Sequence, residues 1–133
     1  MRCLIGFIVL SLSIVSTDAF AQQADKQKLT NEFFNMDANK DGVISMEEIE
    51  AYSDRAFNEM DRDTNQYLDT NEVAVKSEPG EVLKGADTDK NGQVSREEAR
   101  QRFRGYFKAM DTNQNNQVTQ DEYSDYWKAR VNF

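Results

Sequence analysis

The sequence predicts an all-α protein made of four helix–loop–helix units, and three observations carry that expectation. Twelve-residue segments opened by Asp37, Asp61, Asp87 and Asp111 recur along the chain, each closed by a glutamate: Glu48, Glu72, Glu98 and Glu122. Between them the apolar residues keep helical spacing, as in Ile49, Tyr52, Ala56, Phe57 and Met60, and again in Ala99, Phe103, Tyr106, Phe107 and Met110. The segments themselves are rich in Asp, Asn and Gly, which favour turns over regular elements.

The elements follow in chain order. Met1-Arg2 is a short basic start, Cys3 to Val15 an apolar run, and Ala19-Phe20-Ala21 a small-residue cleavage site. That order reads as a secretory signal peptide over residues 1–21, leaving residues 22–133 as one domain in a periplasmic or secreted protein. Leu29, Phe33 and Met36 mark the helix entering loop 1 (Asp37 to Glu48). Loop 2 (Asp61 to Glu72) follows after only the segment Ile49 to Met60, so one helix must serve both loops. From Met46 to Met60 it would measure about 22 Å and hold the two loops at opposite ends. Pro79-Gly80 is expected to break the middle connector into two short pieces and turn the chain back. Loop 3 (Asp87 to Glu98) and loop 4 (Asp111 to Glu122) share the helix from Ala99 to Met110 in the same way. Tyr123, Tyr126 and Trp127 lie on the last helix.

These spacings set the expected pairing. Loop 2 would join loop 3, with Leu68 meeting Val94, and loop 1 would join loop 4, with Ile44 meeting Val118. The alternative breaks each shared helix, the first near Ser53-Asp54, and pairs neighbours in sequence.

Composition narrows the chemistry. The net charge is −8 and histidine is absent. The one cysteine, Cys3, would leave with the signal, so no disulfide framework is expected. Without histidine, without a mature cysteine and without a nucleophile-bearing motif, the sequence does not read as an enzyme. An acidic chain repels nucleic acid and anionic membrane surfaces, and no insertion of the mature chain into a membrane is expected. Carboxylate and amide oxygens remain in quantity, and they suit hard cations.

The loops arrange those oxygens in a recognisable pattern. A Ca²⁺ ion takes about six to eight oxygens, which a twelve-residue loop supplies from positions 1, 3, 5, 7, 9 and 12, with glycine at position 6 for the sharp turn. Loop 1 offers Asp37, Asn39, Asp41, Val43 through its carbonyl, Ser45 and Glu48, with Gly42 at position 6. Loop 3 offers Asp87, Asp89, Asn91, Gln93, Ser95 and Glu98, with Gly92. Both satisfy D-x-[DN]-x-[DN]-G-x₅-E. Loop 2 offers Asp61, Asp63, Asn65, Tyr67, Asp69 and Glu72 but carries Gln66 at position 6. Loop 4 offers Asp111, Asn113, Asn115, Gln117, Thr119 and Glu122, with Asn116. Gln at positive φ costs on the order of 1 kcal/mol, and loop 4 has only two ionised ligands. Loops 1 and 3 are therefore expected to bind best, loop 2 next and loop 4 least. Carboxylates crowd and repel before metal arrives, so folding is expected to be coupled to metal.

Across essentially the whole mature chain these loops resemble the EF-hand calcium-binding family. The signal peptide, the small size and the short spacing of the hands also make the architecture similar to that of the lanmodulins, periplasmic EF-hand proteins that bind lanthanides. Lanmodulin loops carry Pro at position 2 and favour Asp at position 9. Here Ala38, Arg62, Thr88 and Thr112 stand at position 2, and only Asp69 matches at position 9. The resemblance implies a Ca²⁺ buffer or sensor of the cell envelope, or alternatively a lanthanide scavenger. Its partners would be metal ions and, for a sensor, an unidentified envelope protein. Met36, Met60, Met110, Phe103, Phe107, Tyr126 and Trp127 are the residues a sensor would expose, or else plain core.

Overall fold

A computed structural model describes residues 17–73 and 78–130. The apolar run of the expected signal segment lies outside them. Six helices appear among the described residues: α1 (Thr17–Met36), α2 (Met46–Met60), α3 (Thr70–Val73), α4 (Glu78–Leu83), α5 (Arg96–Met110) and α6 (Gln120–Lys128). Helix α1 runs through the expected cleavage point after Ala21. Four two-residue strands lie inside the loops: β1 (Val43–Ile44), β2 (Tyr67–Leu68), β3 (Val94–Ser95) and β4 (Val118–Thr119). None of the described helices is long and apolar enough to cross a membrane.

Strand β1 pairs antiparallel with β4, placing Ile44 opposite Val118, and β2 pairs antiparallel with β3, placing Leu68 opposite Val94. These ribbons fix the helices. β1 precedes α2 and β4 follows α5, while β2 follows α2 and β3 precedes α5. The two long helices must therefore run antiparallel, with a strand pair at each end. They form the most extensive helix–helix contact of the fold.

The apolar stripes explain that contact. Ile49, Ala56, Phe57 and Met60 are buried on α2, and Ala99, Phe103, Phe107 and Met110 on α5. Phe33 and Met36 from α1, Leu83 from α4, Tyr123 from α6 and the four strand residues Ile44, Leu68, Val94 and Val118 complete one cluster. Truncating Phe57 or Phe103 to alanine would cost about 3–5 kcal/mol. Arginines brace the outer helices. Arg55 Nη2 donates to the Asn35 carbonyl at 2.8 Å, and Arg102 Nε donates to the Val82 carbonyl at 3.0 Å. Each places a cation at the C-terminal end of a helix, where unpaired carbonyls and the helix dipole favour it.

One alternative and one expectation meet a different arrangement. Both shared helices are continuous, so the alternative with a break near Ser53-Asp54 does not occur. Ser53 is buried in mid-helix, and Asp54 holds an arginine of α5. Pro79 also does not sit between the two pieces of the connector. It stands second in α4, in the first helical turn, where its missing N–H has no intrahelical partner to lose.

Candidate metal centre

Each loop is organised by its own side chains. The position-1 aspartate accepts two backbone N–H groups from positions 5 and 6. Asp37 takes those of Asp41 and Gly42, at 3.2 and 3.0 Å, and Asp61, Asp87 and Asp111 repeat the pattern. The side-chain oxygen of position 5 in turn accepts the N–H of position 7. In the four loops these bonds run to Asp41 from Val43, to Asn65 from Tyr67, to Asn91 from Gln93 and to Asn115 from Gln117. Polar backbone is thus turned inward by Asx chemistry, and the loop curls around its oxygens.

The closing glutamate ties the two ends of each loop together. Glu48 Oε1 accepts the N–H groups of Ala38 and Asn39, and its Oε2 accepts the N–H of Ser45 at 2.9 Å. Glu72 spans Arg62 and Asp69 in the same way. Glu98 gains a further bond from Thr88 Oγ1 at 2.9 Å, and Glu122 one from Thr112 Oγ1 at 3.0 Å. The pattern D-x-[DN] leaves position 2 open, so this hydroxyl escaped the sequence reading. A threonine there was its only signal.

Position 9 starts the exiting helix. Ser45, Ser95 and Thr119 each form a capping box, the side chain accepting from the closing glutamate's N–H while that carboxylate accepts from the cap residue. Asp69 does the same for α3, with Oδ1 accepting from Asn71 and Glu72 at 2.7 and 3.0 Å. Of the four carboxylates of loop 2, Asp61, Asp63 and Glu72 are gathered together, and Asp69 at the loop's end also caps α3 through Oδ1.

Electrostatics reflect these bonds. Glu98 is held down to about 2, chiefly by the Ser95 N–H, against the opposing effect of burial. The Thr119 N–H likewise holds Glu122 below the usual carboxylate range. For Glu48, burial favours the neutral form, but the N–H groups of Ser45, Asn39 and Ala38 together with the Ser45 hydroxyl outweigh it and lower the pKa. Asp69 is lowered by the N–H groups of Glu72 and Asn71. Hydrogen bonds to the ionised form keep these carboxylates charged.

Three loops bring three carboxylates together, with oxygens within 4.8 Å of one another: Asp37, Asp41 and Glu48; Asp61, Asp63 and Glu72; Asp87, Asp89 and Glu98. No lysine or arginine among the described residues bridges to these groups. Three gathered anions with no protein cation, all of them oxygen donors, fit a hard cation of charge two or more. Loop 4 differs. Each other loop has one aspartate at position 3 or 5, whereas loop 4 has Asn113 and Asn115 at both, and Asn113 Nδ2 donates to Glu122 Oε1 at 2.9 Å. Its amide turns a donor, not an acceptor, toward the closing carboxylate.

Backbone conformation separates the loops further. Gly42 and Gly92 at position 6 have φ of 88°, and Gln66 and Asn116 occupy the same left-handed region at 70° and 62°. Position 4 is left-handed too, at Lys40, Thr64, Lys90 and Gln114, which the sequence pattern does not reveal. Thr64, at φ 58°, is the least suited of these, because a β-branched side chain crowds the backbone there.

Helix–loop–helix units whose loops gather carboxylates in this way define a metal-binding helical protein. The EF hand family model matches residues 32–51, 81–103 and 103–125, which contain loops 1, 3 and 4. The chain belongs to the EF-hand calcium-binding family on these three segments. No curated protein matches it at a significant level.

Proposed function

We propose that the protein is a secreted or periplasmic Ca²⁺-binding protein in which all four loops act as EF hands, joined 1 with 4 and 2 with 3. The observation that carries this reading is the set of three carboxylate trios, held inward by backbone N–H groups and left without a protein cation. In each loop positions 1, 3, 5 and 12 supply side-chain oxygens, position 7 its carbonyl, and position 9 (Ser45, Asp69, Ser95 or Thr119) a further oxygen, directly or through water. Loops 1 and 3 bind most tightly, because they combine a full trio with glycine at position 6. Loop 2 follows, burdened by its backbone, and loop 4 comes last with two carboxylates. Ion binding offsets the mutual repulsion of each trio and orders the helices around it. Its role is that of a Ca²⁺ buffer or sensor, and a Ca²⁺-dependent rise in hydrophobic dye binding marks the sensor.

The second reading, a lanthanide scavenger, is favoured by loop 2, the one loop with Asp at position 9. Trivalent ions reward added anionic oxygen, since attraction scales with charge. Isothermal titration with Ca²⁺ and then with La³⁺ tests both readings. Uptake of several Ca²⁺ ions, lost stepwise in Glu48→Gln and Glu98→Gln, supports the first. Saturation by La³⁺ in the face of excess Ca²⁺ supports the second. No uptake of either ion at millimolar concentration removes both. Detection of the protein in the periplasm or medium, cut after Ala21, tests the proposed location.

A further inference from the structure

Helix α5 carries Arg96, Arg100 and Arg104 at intervals of four, and α2 carries Glu50, Asp54 and Asn58 at the same interval. The two sets meet rung by rung in antiparallel order. Arg104 Nε lies 2.7 Å from Glu50 Oε1. Arg100 grips Asp54 with both arms of its fork, Nε to Oδ1 at 2.9 Å and Nη2 to Oδ2 at 2.7 Å. Arg96 Nη2 donates to Asn58 Oδ1 at 2.7 Å and lies 4.5 Å above the Phe57 ring. Three rungs thus lock the axial register of the two helices on the face beside their apolar contact.

That register matters because each helix reaches both ends of the molecule. Helix α2 carries Glu48, which closes loop 1, in its first turn and ends against Asp61, which opens loop 2. Helix α5 carries Glu98, which closes loop 3, in its first turn and ends against Asp111, which opens loop 4. Apolar side chains alone permit sliding, since their attraction has no direction. Bidentate and in-line charged hydrogen bonds do not. A shift of Glu98 as its loop closes on an ion moves α5 as a rod, and the rungs hand the movement to α2.

We propose that the arginine ladder is a coupling strut, by which ion binding at the β2/β3 end raises affinity at the β1/β4 end. This rests on the metal-binding reading above. Arg96, Arg100 and Arg104 are positioning residues: none of them contacts a ligand carboxylate, although Arg104 Nη1 also reaches Glu97, beside Glu98, at 3.2 Å.

The test compares Ca²⁺ affinity at loop 1, read from the Gly42 amide signal by NMR, with the far end intact and with it disabled by Glu72→Gln and Glu98→Gln. The intact far end is expected to raise loop 1 affinity about fivefold or more. In Arg100→Met/Arg104→Met the ratio falls to within about twofold of one, while Lys108→Met on the same helix leaves it unchanged. If the double variant loses its helical signal, Arg100→Lys replaces it, keeping the charge without the fork, and an intermediate ratio is expected. A ratio retained in a folded ladder variant, or a ratio of one in the unsubstituted protein, overturns the strut alone. Absence of any Ca²⁺-induced shift at Gly42 in the unsubstituted protein overturns the metal reading and the strut with it.

Discussion

Replacing Gln66 with glycine should stabilise the protein, and the size of the effect can be worked from the loops themselves. All four loops hold position 4 in the left-handed region, and the exchange at Gln66 leaves Thr64 and its strain as they are. The loops differ at position 6, where loops 1 and 3 have glycine at φ 88° and loop 2 has Gln66 at 70°. A non-glycine residue in this region costs about 1–2 kcal/mol. Glycine returns about 0.5–1 kcal/mol of that through its larger entropy loss on folding. The Gln66 N–H bond to Asp61 Oδ2 at 3.0 Å survives, because it is a backbone bond. The net gain is about 0.5–1 kcal/mol, or about 0.5 M in urea midpoint at an ordinary slope. Urea unfolding in Ca²⁺ and in chelator, followed by circular dichroism, measures it. Gly92→Gln, the reverse exchange in loop 3, should lose a similar amount, with strain as the cause: a Cβ at Gly92 would meet no atom within 4 Å. A midpoint in Gln66→Gly that stays put or falls, at unchanged slope, would refute backbone strain at position 6 as the handicap of loop 2.

Other perturbations follow from single observations. Ser53 Oγ is buried in α2 without a hydrogen-bond partner, so Ser53→Ala should be neutral or stabilising by up to about 1 kcal/mol in thermal or urea unfolding; clear destabilisation would mean that the hydroxyl has a partner. The Arg100 fork holds the Asp54 carboxyl below its usual range. A folded-state pKa below the unfolded one contributes stability above the unfolded value and loses it as pH falls through the folded value. Asp54→Asn should therefore cost about 0.5–1 kcal/mol at neutral pH, a figure reduced for the partial exposure of the pair, and progressively less as pH falls below the ordinary carboxylate range; a deficit that does not shrink in acid would assign the loss to packing. Asn113→Asp should raise Ca²⁺ affinity of loop 4 by about tenfold, by giving it a third carboxylate, and should lower stability in chelator because an amide donor to Glu122 becomes a repelling charge. Titration of the variant with its partner loops disabled reads the first effect, and urea unfolding the second.

How far the sequence disclosed these features depends on the range of the interactions. Phe33, Phe57, Phe103 and Phe107 announce themselves by helical period, because the face of a helix that meets the core is written in adjacent turns. Asp37 to Glu48 and Asp87 to Glu98 announce themselves by spacing, because an ion cage closes within twelve residues. The Gln66 penalty was legible for the same reason. Thr64 was not, since nothing in D-x-[DN] marks the fourth position as left-handed. The cap that Asp69 Oδ1 forms on α3 was not legible in a count of carboxylates, because it depends on where the exiting helix begins. Arg96, Arg100 and Arg104 were invisible as a group, since arginines four apart on a helix look like any solvated face until the partner helix is known.

The ladder and the loops together suggest why an acidic chain this small spends three arginines on one helix face. The trios of loops 1, 2 and 3 repel internally, and each pair of charges within 4.8 Å costs from about 1 kcal/mol in water to several times that near the protein surface. Backbone N–H groups oppose this in part, and no lysine or arginine among the described residues bridges to the trios. Placing the arginines inside the loops would offset the repulsion but would also occupy the cage. Set against Glu50 and Asp54 along α2, they hold the helices in register while leaving each trio free. Cohesion and ion affinity are thereby assigned to different residues, so that removing a rung should loosen the molecule without neutralising any ligand.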